Sequence, residues 1–235
     1  MLSLEHVYTA CSFFFCFYRE AGIMKGNIND SCMKQGCLTY TDEKGGLIML
    51  ELKLKSGEVK QCEAGAYVHE LLEAWNVKEA VYAVTLDGKL HDLNYRIKKS
   101  GALDYIYADS ETGKLIYERS LNFLFIVAVR SLFPDARVRM EHALSGGQYC
   151  EIDKEGYCKP QDVRKIEKRM KELIAANEVI HRRVVATAEA QAYFDRLGMK
   201  NKANLLACRK SATSSIYTLC GYDDYFYGIT LPDTS

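Results

Sequence analysis

The chain has 235 residues, with 31 Lys+Arg against 31 Asp+Glu, so its formal net charge is zero. At 48% apolar and 26% charged residues it has the composition of a folded globular chain, long enough for one large core or two small ones. A neutral total excludes a protein that coats nucleic acid by charge alone, and nine cysteines without a C-x-x-C read as reduced cytosolic thiols rather than a secreted disulfide scaffold. No stretch reaches the ~20 apolar residues of a membrane helix, so a cytoplasmic chain without a membrane partner is expected.

Residues 1–48 show no sustained period and mix an aromatic clump with turn-forming pairs, so they read as a poorly patterned leader. Cys11, Cys16, Cys32 and Cys37 have spacings compatible with metal ligation, but incidental thiols are the better expectation and no metal site is assigned. Lys44-Gly45-Gly46 lies just before Met49 and back-translates to a purine-rich ribosome-binding sequence. On that reading, residues 1–48 are upstream DNA read in frame.

From Met49 the pattern is regular. Leu50, Leu52 and Leu54 alternate with charged residues, Ser56-Gly57 turns the chain, and Val59 to Cys62 continues as a second strand. Val68, Leu71, Leu72 and Trp75 have helical spacing. Ala80–Leu86 predicts a strand turned by Asp87-Gly88, and Leu103–Tyr107 a closing strand. Residues 49–112 thus have the order of a β-grasp, a mixed sheet on one helix.

Residues 113–235 open with a predicted helix from Leu115 to Phe133, apolar nearly all round and stopped by Pro134, in which Asn122 needs a partner. Strands are expected at Val138–Met140 and Gln148–Ile152. Pro160 starts an amphipathic helix. A strand at Val179–Val185, helices at Thr187–Leu197 and Lys202–Cys208, and a last strand at Ser215–Leu219 precede the aromatic run Tyr222–Tyr227.

The strand Met49–Leu54, the turn Ser56-Gly57 and the run Ala83-Val84-Thr85-Leu86-Asp87-Gly88-Lys89-Leu90 resemble the TGS domain that heads threonyl-tRNA synthetases. Leu132-Phe133-Pro134, Gly147-Gln148-Tyr149-Cys150-Glu151 and Gln161-Asp162-Val163 resemble the editing domain, the threonyl/alanyl-tRNA synthetase second additional domain. Together these imply an α+β fold: a β-grasp TGS domain followed by an editing-like α+β domain. The blocks Tyr117-Glu118-Arg119-Ser120-Leu121, Glu141-His142 with Tyr149-Cys150-Glu151, and Asp224-Tyr225-Phe226-Tyr227-Gly228 resemble more closely a bacterial family of uridine or nucleoside kinases. In that family the same two domains precede a P-loop kinase domain. Here no G-x-x-x-x-G-K-[ST] stretch occurs.

The resemblance also implies where editing chemistry would sit: a His-x-x-x-His pair and a Cys and His four residues apart. In this chain those positions hold Arg119 and Phe123, then Phe226 and Thr230, so no catalytic residue is expected. A non-catalytic module binding RNA or a nucleotide-like ligand in a regulatory role follows, with no cofactor. The alternative is an aminoacyl-tRNA hydrolase of non-standard site, using His142 and Glu151. Candidate ligand contacts are Glu141, His142, Tyr149 and Glu151, where an imidazole has acidic neighbours, and Arg209, Lys210, Tyr225 and Tyr227, which combine cations with stacking faces. Lys165, Lys168, Arg169 and Lys171, with Arg182-Arg183, are a further basic set, although Glu167 and Glu172 favour a plain solvated helix.

Overall fold

The computed structural model describes residues 12–15, 48–144, 147–156 and 158–235. In chain order its strands are β1 (Ser12–Phe15), β2 (Met49–Leu54), β3 (Val59–Glu63), β4 (Val81–Leu86), β5 (Lys89–His91), β6 (Gly101–Tyr107), β7 (Arg137–Leu144), β8 (Gly147–Asp153), β9 (His181–Ala186), β10 (Thr213–Leu219) and β11 (Tyr222–Tyr225). Its helices are α1 (Val68–Ala74), α2 (Glu111–Leu132), α3 (Pro160–Ala175), α4 (Thr187–Arg196) and α5 (Lys200–Ala207). The described residues fall into two compact units: 48–120 with 179–233, and 121–178 with 12–15 and 234–235.

In the first unit, alternation buries Leu50, Leu52 and Leu54 of β2 on one face. β2 pairs antiparallel with β3 and parallel with β6, giving the sheet order β3-β2-β6-β4-β5. Val68 and Leu71 of α1 join Leu52, Leu86, Ile97 and Leu103 in its core, each fully buried aliphatic side chain contributing about 2 kcal/mol. The second sheet, ordered β11-β10-β9, carries a core of Ala190 and Phe194 from α4, Ala203 and Leu206 from α5, and Ile216 and Tyr225 from the strands. A third cluster joins Ala83 and Ile116 to Ile229, with Tyr82, Ile106 and Leu231 packed around it.

In the other unit β8 lies between β1 and β7, antiparallel to both. Phe123, Val127 and Val129 of α2 are buried, as are Ile166, Met170 and Leu173 of α3. Asn122 finds the partner it needs, donating from Nδ2 to Gln148 Oε1 at 2.9 Å. Thr234 closes the unit, its hydroxyl donating to the Leu173 carbonyl at 2.8 Å.

Several elements differ from the sequence expectation. β1 falls within the stretch expected to lack strands, while the four N-terminal cysteines lie outside the described residues. α2 begins at Glu111 rather than Leu115. Ser110 caps it, its Oγ accepting the Gly113 N–H at 3.0 Å, and a Cβ on Gly113 would lie 2.0 Å from the Tyr107 carbonyl oxygen. Glycine, a poor helix former, is there required by close approach. The three-residue β5 and the strand β11 were also unexpected. β11 follows a two-residue turn, Cys220-Gly221, with both residues at positive φ (49° and 77°), as a type I′ hairpin requires.

Candidate ligand-binding site

Three of the positions at which the resemblance implies editing residues lie in the first unit. Arg119 donates from Nη1 to the Ile229 carbonyl. Its guanidinium lies against Gly228, where φ is +106° and an added Cβ would come within 2.9 Å of Arg119 Cζ. Burial pushes the Arg119 pKa down, opposed by nearby Tyr217 and Glu118, and an arginine so placed stays a cation that neither accepts a proton nor binds a metal. Tyr217 donates its hydroxyl to the Gly228 carbonyl at 2.6 Å, and its ring is tilted against Phe226 with centroids 6.2 Å apart. Thr230 is buried. Phe123, the fourth position, is wholly buried in the other unit. These positions are occupied by packing groups.

The hairpin β7–β8 gathers the second set of residues. Its register pairs Met140 with Cys150 and Ala143 with Gln148, so Glu141 and His142 together oppose Tyr149 in a bulge. Bulges re-aim side chains. Here the exposed His142 ring stacks on Tyr149 (centroids 5.4 Å apart, 24° between planes). The Tyr149 hydroxyl lies 3.5 Å from Glu151 Oε1, and Glu151 Oε2 is 2.5 Å from Arg139 Nη2. Glu141 is exposed and offers its carbonyl to Gln148 Nε2 at 3.4 Å. Tyr149 therefore touches both His142 and Glu151, while the Glu151 carboxylate is engaged by an arginine and is poorly placed as a base.

The third set is in the first unit, after α5 and at the end of β11. The Arg209 guanidinium lies 5.6 Å from the Tyr225 ring and 5.4 Å from the Tyr227 ring, and its Nη1 donates to the Tyr225 hydroxyl. Its Nε is buried without a hydrogen-bond partner. Tyr225 is buried, Tyr227 is 79% exposed, and Lys210 beside them is exposed. A cation held between two rings, one open to solvent, can stack a planar ligand and bond an anion.

The sets from the hairpin and from β11 thus belong to different compact units. The basic face of α3 is paired along the helix, Lys171 with Glu167 at 2.7 Å and Arg169 with Glu172 at 3.2 Å, as a solvated helix should be. Arg182 and Arg183 are paired with Asp92 and Asp223. Burial raises the Cys150 thiol to about 11, with Cys158 adding to the rise, so it is no nucleophile near neutral pH. Among the described residues no three His, Cys, Asp or Glu side chains converge as metal ligands, and no helix is long and apolar enough to cross a membrane.

Sequence reasoning missed a cleft of about 450 Å³ in the first unit, lined by Tyr95, Arg96 and Lys98 on one side and by His181, Arg182 and Pro232 on the other. Its residues come from segments more than eighty positions apart. The only local sign was the basic-aromatic run Tyr95-Arg96-Ile97-Lys98-Lys99.

The geometry defines a class: a mixed α+β chain with five helices among its described residues and an arginine–tyrosine stack at the end of a small antiparallel sheet. The chain is homologous to the N-terminal part of threonine–tRNA ligases, and its architecture agrees with their TGS and editing region. It is 31% identical over 188 residues to threonine–tRNA ligase of Pelobacter propionicus, covering 79% of this chain and 30% of the relative. Threonine–tRNA ligase of Burkholderia lata gives 31% identity over 189 residues with the same coverage. The chain thus spans about a third of the length of these relatives. No protein-family model matches it.

Proposed function

We propose that the chain is a non-catalytic binding module, a TGS-type β-grasp followed by an editing-like domain, which binds RNA or a nucleotide-like ligand in a regulatory role. The sheet order with one helix in its core supports the β-grasp part. Arg119 on the Ile229 carbonyl, with Phe226 and Thr230 at the other two positions of that unit, supports the loss of editing hydrolysis. The blocks that resemble those of uridine and nucleoside kinases favour a module that works beside a P-loop kinase domain in the cytoplasm.

One observation carries the ligand class: Arg209 between Tyr225 and Tyr227, with Tyr227 exposed and the guanidinium Nε unpartnered. Stacking a base on such a ring contributes about 1–3 kcal/mol. In fluorescence anisotropy with a labelled single-stranded RNA oligonucleotide, Tyr227→Ala and Arg209→Ala are each expected to weaken binding about tenfold or more. Unchanged affinity in both variants refutes this assignment. The hydrolase alternative rests on the His142–Tyr149–Glu151 contacts. Deacylation of mischarged aminoacyl-tRNA, lost in His142→Ala, would replace the binding-module reading.

A further inference from the structure

The cleft that sequence reasoning missed has the chemistry of an anion site. Its volume of about 450 Å³ is that of a small-molecule pocket, which typically holds ~300–1,000 Å³. Three permanent cations, Arg96, Lys98 and Arg182, line it against one carboxylate, Asp92. Positive charge concentrated in a concave wall raises the local potential far above that of the same charges spread over a surface. The neutral total of the whole chain conceals this local excess.

The cations are positioned. Arg96 stacks over the Tyr67 ring at 4.4 Å and donates from Nη2 to the Tyr67 hydroxyl at 2.7 Å. Arg182 is held from two sides, its Nε donating to Ser215 Oγ at 3.0 Å and its Nη1 to Asp92 Oδ2 at 2.5 Å. Lys98 is exposed and has no ion-pair partner among the described residues. Tyr95, also in the wall, is stacked on His91 at 3.7 Å between centroids.

We infer that this cleft binds the phosphate end of a free nucleotide, with its base against the tyrosine-lined wall. Asp92 acts as an internal counter-ion that holds Arg182 in the cleft wall. A phosphate takes its place on the guanidinium, whose planar fork binds two oxygens at once. The site is distinct from the Arg209–Tyr227 stack and shares no residue with it.

The test is calorimetric titration of the full chain with ATP, tripolyphosphate and adenosine. ATP and tripolyphosphate are expected to bind, and adenosine at least tenfold more weakly than ATP. Lys98→Ala, an exposed change that leaves folding intact, should weaken ATP binding about threefold to tenfold, and Arg96→Ala more. Asp92→Asn should strengthen it severalfold, the opposite sign from a merely structural salt bridge. Arg209→Ala should leave ATP affinity unchanged, so loss of RNA binding in that variant with ATP binding kept separates the two sites. The inference is overturned if ATP does not bind at millimolar concentration, if adenosine binds as tightly as ATP, or if Lys98→Ala and Asp92→Asn both leave affinity unaltered. It is overturned equally if the cleft variants weaken only the RNA oligonucleotide.

Discussion

Arg119 and Arg209 lie in the same compact unit and near tyrosines, yet they are used in opposite ways. Arg119 is turned inward, its guanidinium against Gly228 and bonded to the Ile229 carbonyl. Arg209 is held between two rings, one of them almost fully open to solvent. The first region has become a packed joint where the relatives' resemblance implies chemistry; the second presents a cation and an aromatic face outward. One unit thus holds one arginine used for packing and another presented with an aromatic face toward solvent.

The sharpest way to break the comparison is to remove each arginine and ask what is lost. Arg119→Ala leaves the Ile229 carbonyl without its donor and a void behind Gly228, and should destabilise by about 2–3 kcal/mol in chemical denaturation, with RNA affinity unchanged in the folded fraction. Gly228→Ala should cost about 2 kcal/mol, because it forces a side chain onto a left-handed backbone and against the guanidinium. Combined, the two changes should cost less than their sum, since removing Arg119 makes room for the new Cβ. Strict additivity would show that the joint is not a single packed contact.

A smaller effect is expected from the exposed region. Tyr227→Ala should change folding stability by less than about 0.5 kcal/mol while lowering ligand affinity. A larger stability loss would make Tyr227 a structural residue and erase the contrast with Arg119.

The smallest effect concerns acid. Burial pushes the Asp223 carboxyl up, but bonds from Thr218 and Tyr193 and the Arg183 charge more than offset it, and its pKa lies below the usual carboxylate value. A group lowered on folding stabilises above its unfolded pKa of about 4 and loses that contribution as pH falls through its folded value. Stability from denaturant midpoints should therefore decline below about pH 4, and Asp223→Asn should flatten the decline.

Much of the fold was legible because local rules agree with tertiary burial. The alternation of Leu50, Leu52 and Leu54 survives as the buried face of β2, and Asn122 has the partner its position demanded. Two hairpins show where legibility ends. Both have two-residue loops with positive φ at both positions, yet Asp87-Gly88 advertises this and Cys220-Gly221 does not. Cysteine carries no side-chain reason to favour a left-handed backbone, so only the aromatic content of β11 stands out in the sequence. Gly113 lies in the first turn of α2, ahead of the expected start at Leu115, and its value is a close approach to Tyr107 that only the folded chain creates. In the candidate site, Arg209, Tyr225 and Tyr227 were close enough in sequence to be grouped. The cleft of Arg96 and Arg182 joins segments that no local pattern connects.

The strand β9 has a consequence for assembly. It is the outer strand of its three-stranded sheet, and such a strand offers a row of backbone donors and acceptors on which another chain can extend the sheet. Val184 is exposed on it, which would make the edge adhesive. Arg182 and Arg183 directly precede that valine, and successive positions on a strand project to opposite faces. Asp92 and Asp223 tether them separately, so a guanidinium is fixed on each side of the edge. A second copy approaching along β9 must place its own arginines against these or strip water from them, whichever face it comes from. Charged residues on an edge strand disfavour strand-to-strand polymerisation, and these two tethered arginines put such charge on both faces of β9.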